Sequence, residues 1–497
     1  MRGLAIALCL ALLPQFASAA TLHVPADYPT IQQAINAATS GDIVLVAAGT
    51  YHETISLGAA QDGVKVDSES GPAATIIDGG YTGSVVTVNG VGSGTELVGF
   101  TIMHGGHAPP TWMDDGGGVK VNGSPKIDND VLTSNAAGRG AGIFVGSGSP
   151  SITHCVLDGN TVVPDIFGDI PGSGGGGIYV LYGGATITDN TFTNNDGAIY
   201  VVAPHPYVNI ANNLIQGNHG TGVFWDGNDI LNVTTPGVIE NNRFISNGGW
   251  GVYIYSTVGA TALPVRGNLV QSNQRGGIGL EDAVGATAED NQILGNTGSP
   301  GLYLYGVTYI VHGNVIQDNE GGIIMWHAQA TIEQNLILRN HRSAPGGGVA
   351  LRVSTAILTN NTIALNASDQ GGGNLYFREG SALNLQRNIL SHSPNQGVWQ
   401  DDAFGGNTIT MSCNDVSNNA GGNYSGMADP TGTSGNLSLD PLYCSLLALD
   451  VHLASTSPCT AANSPAGCGL VGALDVGCDG PVRTEPTTWG AMKARYR

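Results

Sequence analysis

Charge is scarce in this sequence. Charged residues make up 11% of 497 positions, with 17 Lys and Arg against 38 Asp and Glu. The net charge of −21 repels a phosphate backbone and excludes nucleic acid as a natural partner. Aromatic residues are few as well, at 6%. Low charge beside 41% hydrophobic residues excludes a disordered polymer. Long apolar runs are missing after the N-terminus, so no transmembrane segment is expected. The one such run, Leu4 to Leu13, follows Met1-Arg2 and precedes Ala17-Ser18-Ala19. It is too short to span a bilayer and reads as a signal peptide, residues 1–19. A secreted protein, extracellular or periplasmic, is expected.

Tight cysteine spacing is also absent. No Cys-x-x-Cys pair offers a structural zinc site. Cys9 lies in the signal peptide, and Cys155, Cys413, Cys444, Cys459, Cys468 and Cys478 remain. Export permits disulfides among the last five. Pairing of Cys413 with Cys444, and of Cys459 with Cys468 or Cys478, is the simplest expectation. Cys155 stands apart as a buried lone thiol.

What the chain has in plenty is glycine, 76 residues, and a repeat. One copy reads Asn213-Leu-Ile-Gln-Gly-Asn218 followed by Gly222-Val223-Phe224, and the next Asn242-Arg-Phe-Ile-Ser-Asn247 followed by Gly251-Val252-Tyr253. The pattern recurs from Asp130 to Asn414 with a mean period of about 26 residues. Each period holds three short alternating apolar patches, which are strands rather than helices. The period is too short for a propeller blade, and helical solenoids need longer stripes. About a dozen three-stranded coils, stacked ~4.8 Å apart, give an all-β, right-handed, single-stranded parallel β-helix. Asn tolerates left-handed backbone and bonds its own turn, and stacked amides bond one another. Asn213, Asn242, Asn268, Asn291 and Asn314 are therefore expected in one inward ladder.

This repeat resembles that of the pectate-lyase-like superfamily. The opening Val24-Pro-Ala-Asp-Tyr-Pro-Thr-Ile31, with Gly41-Asp42 and Gly49-Thr50-Tyr51, is similar to that of many secreted members. The resemblance implies that a short amphipathic helix, Thr30 to Ala38, caps the N-terminal end. The β-helix domain is expected over 20–480, with disulfide-stabilised closing coils over 408–480. The tail 481–497 is read as a short capping helix or a flexible segment. Two insertions, His104 to Asp115 and Thr161 to Gly174, are loops.

The third strand of each coil carries the functional expectation. Its inward residues run Ile143, Ile178, Ile199, Val223, Val252, Ile278, Leu302, Ile323, Val349 and Val398. Its outward row runs Phe144, Tyr179, Tyr200, Phe224, Tyr253, Gly279, Tyr303, Ile324, Ala350 and Trp399. Leu375 and Tyr376 join these rows if Asn374 is a one-residue slip. Tyr255, Tyr305, Trp326 and Arg352 lie two positions further on. Aromatics gathered outward either stack on each other or bind the flat faces of sugars. Tyr253, Tyr303, Trp326 and Trp399 are the candidate ligand-binding residues.

Polar residues end this row: Asp226, Asp229, Glu281, Asp282, His327, Arg352, Arg378, Glu379, Asp401 and Asp402. Glycoside hydrolysis needs two carboxyl groups roughly 5 to 9 Å apart, and Glu379 with Asp401, one coil apart, is the best pair. Lyase or epimerase chemistry on a uronate needs a cation and a base, roles open to Arg352, Arg378 and His327. The superfamily resemblance fixes no branch. The Asn-Thr-Asp, Gly-His-Gly and Arg-x-Lys motifs of its polygalacturonate hydrolases are missing, as is the Tyr-Gly-x-Asp-Pro motif of its epimerases. Its lyase branch would bring Ca2+, for which no ligand set can be matched here. Two readings stand: cleavage of acidic polysaccharide by lyase or hydrolase chemistry, and non-catalytic glycan binding by an adhesin or structural solenoid. Both have a polysaccharide or surface glycan as partner.

Overall fold

Stacked turns of this chain succeed because each coil repeats the backbone of the last. The computed structural model describes residues 19–107, 115–163, 175–202, 207–227, 237–256 and 262–479. Residues 1–18 of the expected signal peptide, most of both insertions, Asp229 and the tail 481–497 lie outside them.

Three parallel sheets of 16, 15 and 15 strands run the length of a right-handed β-helix. One coil is built from Ile323–Trp326 in the third sheet, Gln329–Glu333 in the first and Leu336–Leu338 in the second. Twelve coils carry the Asn mark. Three more precede them, with second-sheet strands Gly49–Tyr51, Thr75–Asp78 and Thr101–Met103. The inward residues expected on the third strands are all buried, and so is Leu375, which pairs with Val349. The slip at Asn374 is therefore real.

Two amide ladders run inside the turns. In one, Asn213 Nδ2 donates to Asn242 Oδ1 at 2.9 Å, Asn242 to Asn268 at 3.1 Å, and Asn268 to Asn291 at 3.0 Å. The other runs through Asn218, Asn247 and Asn273. Each Oδ1 also accepts the backbone N–H of the preceding ladder residue, as Asn291 does from Asn268 at 3.0 Å. The left-handed turn residue is not the ladder Asn itself but the one before it. Asn212, Asn241, Asp290 and Asn360 all have φ between 52° and 59°. Two jobs are split between neighbours: one residue bends the chain, and the next points inward to bond. Gly322 shows why the third strand starts on glycine. A Cβ there would meet the Gly348 carbonyl of the next coil at 2.3 Å.

The N-terminal end is closed by the helix Ile31–Ala37, which buries Ile31, Ala34 and Ile35. Thr30 caps it by accepting from Gln33 N, and Glu53 accepts from Ile31 N and Gln32 N. These acceptors satisfy first-turn donors that have no partner within the helix.

At the other end the third-sheet winding stops at Tyr424–Ser425. Instead of adding coils, Tyr443–Ser445, Asp450–Ala454 and Val476–Cys478 form a small separate sheet. Its Tyr443, Val451 and Leu453, with Val471 from the segment before its last strand, pack on Leu338, Ala364, Leu365 and Ile389, along the second sheet. The disulfides follow that placement and correct the expected pairing. Cys413 joins Cys468, and Cys444 joins Cys478, while Cys459 is free and buried. Cys444 and Cys478 flank the central strand Asp450–Ala454, so neighbours in sequence are not neighbours in space. Cys155 is a buried free thiol, standing in the Asn ladder and accepting no disulfide. Among the described residues no helix is long and apolar enough to cross a membrane.

Candidate functional site

Strand register builds the site. Along the third sheet one outward row passes through Asp226, Tyr255, Glu281, Tyr305, Trp326, Arg352, Arg378 and Asp401, each the partner of the next. A second row, two residues earlier in each strand, passes through Tyr253, Gly279, Tyr303, Ile324, Ala350, Tyr376 and Trp399.

The two ends of these rows differ. Toward the N-terminus the aromatics are a packed ladder. Phe144, Tyr179, Tyr200, Phe224 and Tyr253 follow one another with centroids 4.8 to 5.9 Å apart. Phe144 and Tyr179 are buried, and Tyr253 donates a hydrogen bond to Glu281. Toward the C-terminus the rings surround a cleft of about 520 Å³. Trp326, Tyr376 and Trp399 line it together with Arg342, Arg352, Arg378 and Asp401. Tyr303 lies one coil before Ile324, outside this lining. Tyr253 lies six coils from Trp399, about 29 Å at the usual strand spacing.

Inside the cleft the charges are organised. Glu379 occupies the left-handed turn after the third strand, with φ of 57°. There it leans back between two guanidiniums, pairing with Arg352 and, at 3.1 Å, with Arg378. Arg352 also lies over the Trp326 ring, 4.9 Å from its centroid. Asp401 accepts from the Tyr376 hydroxyl at 2.6 Å and from Ala403 N at 3.0 Å. Burial, then the bond to Asp401, pushes the Tyr376 phenol up to about 12. Trp399 meets Tyr376 edge-on at 5.1 Å. Both rings rest on the turn before the third strand, where a Cβ on Gly371 (φ 111°) would meet Trp399 at 2.9 Å.

Of the residues singled out in the sequence, Trp326, Trp399, Arg352, Arg378 and Asp401 share the cleft lining, with Glu379 bonded to two of them. His327 is exposed and stacks on Trp326 at 5.9 Å. Among the charged and aromatic residues of the lining, Arg342 and Tyr376 are not among the site residues expected from the sequence. Arg342 comes from the turn between second and third strands, which no strand pattern reveals. A signal does exist: the turn from the second ladder Asn to the glycine that opens the third strand lengthens from three positions (Asn319 to Gly322) to eight (Asn340 to Gly348), and the added residues build this wall. Among the described residues no group of three or more His, Cys, Asp or Glu is placed to hold a metal ion. Glu379 and Asp401 already meet protein donors, so these residues do not fit a Ca2+ cage.

Residues 86–293 and 276–436 match the family described as the right-handed beta helix region. The chain belongs to that family. No curated protein matches this β-helix protein in sequence. Among solved structures it is similar to a mannuronic acid specific polysaccharide family 6 lyase from human gut microbiota, at 12% identity and a TM-score of 0.38, covering 84% of this chain and 91% of that one. It is similar also to the mannuronan C-5 epimerase AlgE6 A-module of Azotobacter vinelandii, at 16% identity and 0.32, covering 83% and 94%. The receptor-binding tailspike of bacteriophage Det7 is a third, at 12% and 0.35, covering 80% and 76%.

Proposed function

We propose that this β-helix protein binds an acidic polysaccharide outside the cytoplasm, seating one charged sugar in the cleft between Trp326 and Trp399. One observation carries the reading. A chain of net charge −21 with 17 basic residues places three arginines and three aromatic rings around a single cleft. Aromatic faces take the apolar side of a sugar ring. Guanidiniums take its acid groups in charge-assisted bonds. The cleft lies on a stiff sheet, so a glycan running along the axis meets a new coil every ~4.8 Å. The two disulfides fit an oxidising compartment, as does the signal peptide expected from the sequence.

A second reading keeps turnover in the same cleft. Tyr376 with Asp401 is a short phenol–carboxylate pair, and such a pair can carry a proton during elimination or hydrolysis. Glu379, between two guanidiniums, then serves to hold Arg352 and Arg378 rather than to exchange protons with substrate.

Binding to a panel of neutral and acidic glycans tests the first reading. Acidic glycans should bind, and Trp399→Ala should weaken them about tenfold or more, ~1.4 kcal/mol, with melting little changed. Wild-type protein that binds no glycan overturns the proposal. Release of reducing ends or unsaturated products, lost in Tyr376→Phe, would establish the second reading. Binding without products would leave the first alone.

A further inference from the structure

The three arginines of the cleft are not equivalent. Arg352 and Arg378 both face Glu379, and Arg352 covers one side of Trp326. Arg342 enters from a different element. It belongs to the two-residue strand His341–Arg342, which pairs in parallel with Ala367–Ser368. Nη1 donates to the Pro345 carbonyl at 2.8 Å. Among the described residues Arg342 forms no ion pair. It is half-buried in the cleft wall.

We propose that Arg342 is the specificity-determining residue of the cleft: it seats the anionic substituent, a carboxylate or sulfate, of the sugar held beside Trp399. This rests on the glycan-binding reading above. A guanidinium carries five N–H donors in a planar fork, and the protein takes up one nitrogen of this fork. Charge balance points the same way. In the cleft itself three arginines stand against Glu379 and Asp401, and Glu320 attracts Arg342 from outside the lining without an ion pair. A cation partly removed from water with no carboxylate in ion-pair contact gains when an anion docks on it. Burial pushes the Arg342 guanidinium down from its ordinary value, with repulsion from Arg378 adding to it and attraction to Tyr376 and Glu320 opposing it. An incoming carboxylate or sulfate relieves both effects, and a neutral sugar relieves neither. Arg352 and Arg378 form the fixed wall of the cleft, held by Glu379, and Arg342 provides the selection.

Calorimetry on the full chain, wild type and Arg342→Gln, decides this with three probes of equal length: an oligogalacturonate, a sulfated galactan oligosaccharide and a neutral cello-oligosaccharide. Arg342→Gln should weaken the preferred acidic probe about tenfold, ~1.4 kcal/mol, while changing the neutral probe less than about twofold. The dependence of acidic binding on salt should flatten in the variant. Arg342→Lys should restore part of the affinity, as a point charge without the fork. The acidic probe bound more tightly by wild type names the group, carboxylate or sulfate. Equal weakening of acidic and neutral probes overturns the inference. So does an unchanged acidic preference in Arg342→Gln beside a lost one in Arg378→Gln. Wild-type protein that binds none of the probes fails the underlying reading instead, and melting curves identify any variant that has not folded.

Discussion

Each ladder amide completes its neighbour's turn as well as its own. Asn291 Oδ1 accepts both the backbone N–H and the side-chain Nδ2 of Asn268, and Asn291 Nδ2 donates to the Val265 carbonyl and to Asn314. Leucine is similar in size but leaves these groups unpaired in a dry interior. Asn291→Leu should therefore cost ~1–3 kcal/mol for each orphaned group, seen as a lower midpoint in denaturant. An unchanged midpoint would refute the ladder's role. Asp415 gives the opposite sign. It is fully buried beside the Cys459 thiol, and burial raises its carboxyl to about 6. The folded state thus binds this proton more tightly than the unfolded chain does. The stability it contributes is complete below about pH 4 and is lost as pH rises through about 6. Asp415→Asn should stabilise the fold by on the order of 3 kcal/mol near pH 7 and do little near pH 4, read from melting curves at the two pH values. Equal shifts at both pH values would show that folding does not raise the carboxyl's pKa. The ladder was legible in the sequence because the same residue type recurs at the same phase. Asp415 was not, because its burial comes from a segment that folds back over the winding.

Coils and turns divide the labour at the next scale. Strands repeat so strictly that inward and outward residues of the third sheet follow from alternation alone, down to the slip at Asn374. Turns vary in length, and variation is what built the cleft wall carrying Arg342 and Gly371. Repetition marks Trp326, Trp399, Arg352 and Arg378, which share one phase of the third strands, and leaves Arg342 unmarked on its turn. The C-terminal sheet was misjudged for a related reason. Its strands lack the Asn mark, yet the strands it covers show the trace in Leu338, Ala364 and Ile389, outward positions that are apolar. Cys413–Cys468 ties this cover to the last coils across 55 residues. By loop-closure entropy its loss should cost ~2–4 kcal/mol. Cys413→Ser with Cys468→Ser should lower thermal stability by that order while glycan binding is retained, because the cover lies along the second sheet and the cleft opens on the third. Loss of binding at a temperature where the double variant is still folded would show that the two faces are coupled.

At the scale of the whole molecule, the net charge and the cleft oppose each other. A polyanion approaching from far away feels −21 charges. Once docked, it feels the arginines it touches. Salt separates these regimes. At ~0.01 M the screening length is ~30 Å, so the whole surface repels the incoming chain; at ~0.15 M it is ~8 Å, less than two coil spacings, and the three arginines prevail. Association of an acidic oligosaccharide should therefore speed up several-fold between these conditions, against the usual trend for a charged ligand meeting an oppositely charged site. Dissociation should speed up too, because the contacts to Arg342 are weakened by the same ions. A neutral oligosaccharide should show neither effect. Stopped-flow tryptophan fluorescence can follow both rates through Trp326 and Trp399. Association that slows with added salt would mean that the cleft steers the ligand from a distance, and that the acidic surface is arranged to leave its mouth open rather than to guard it.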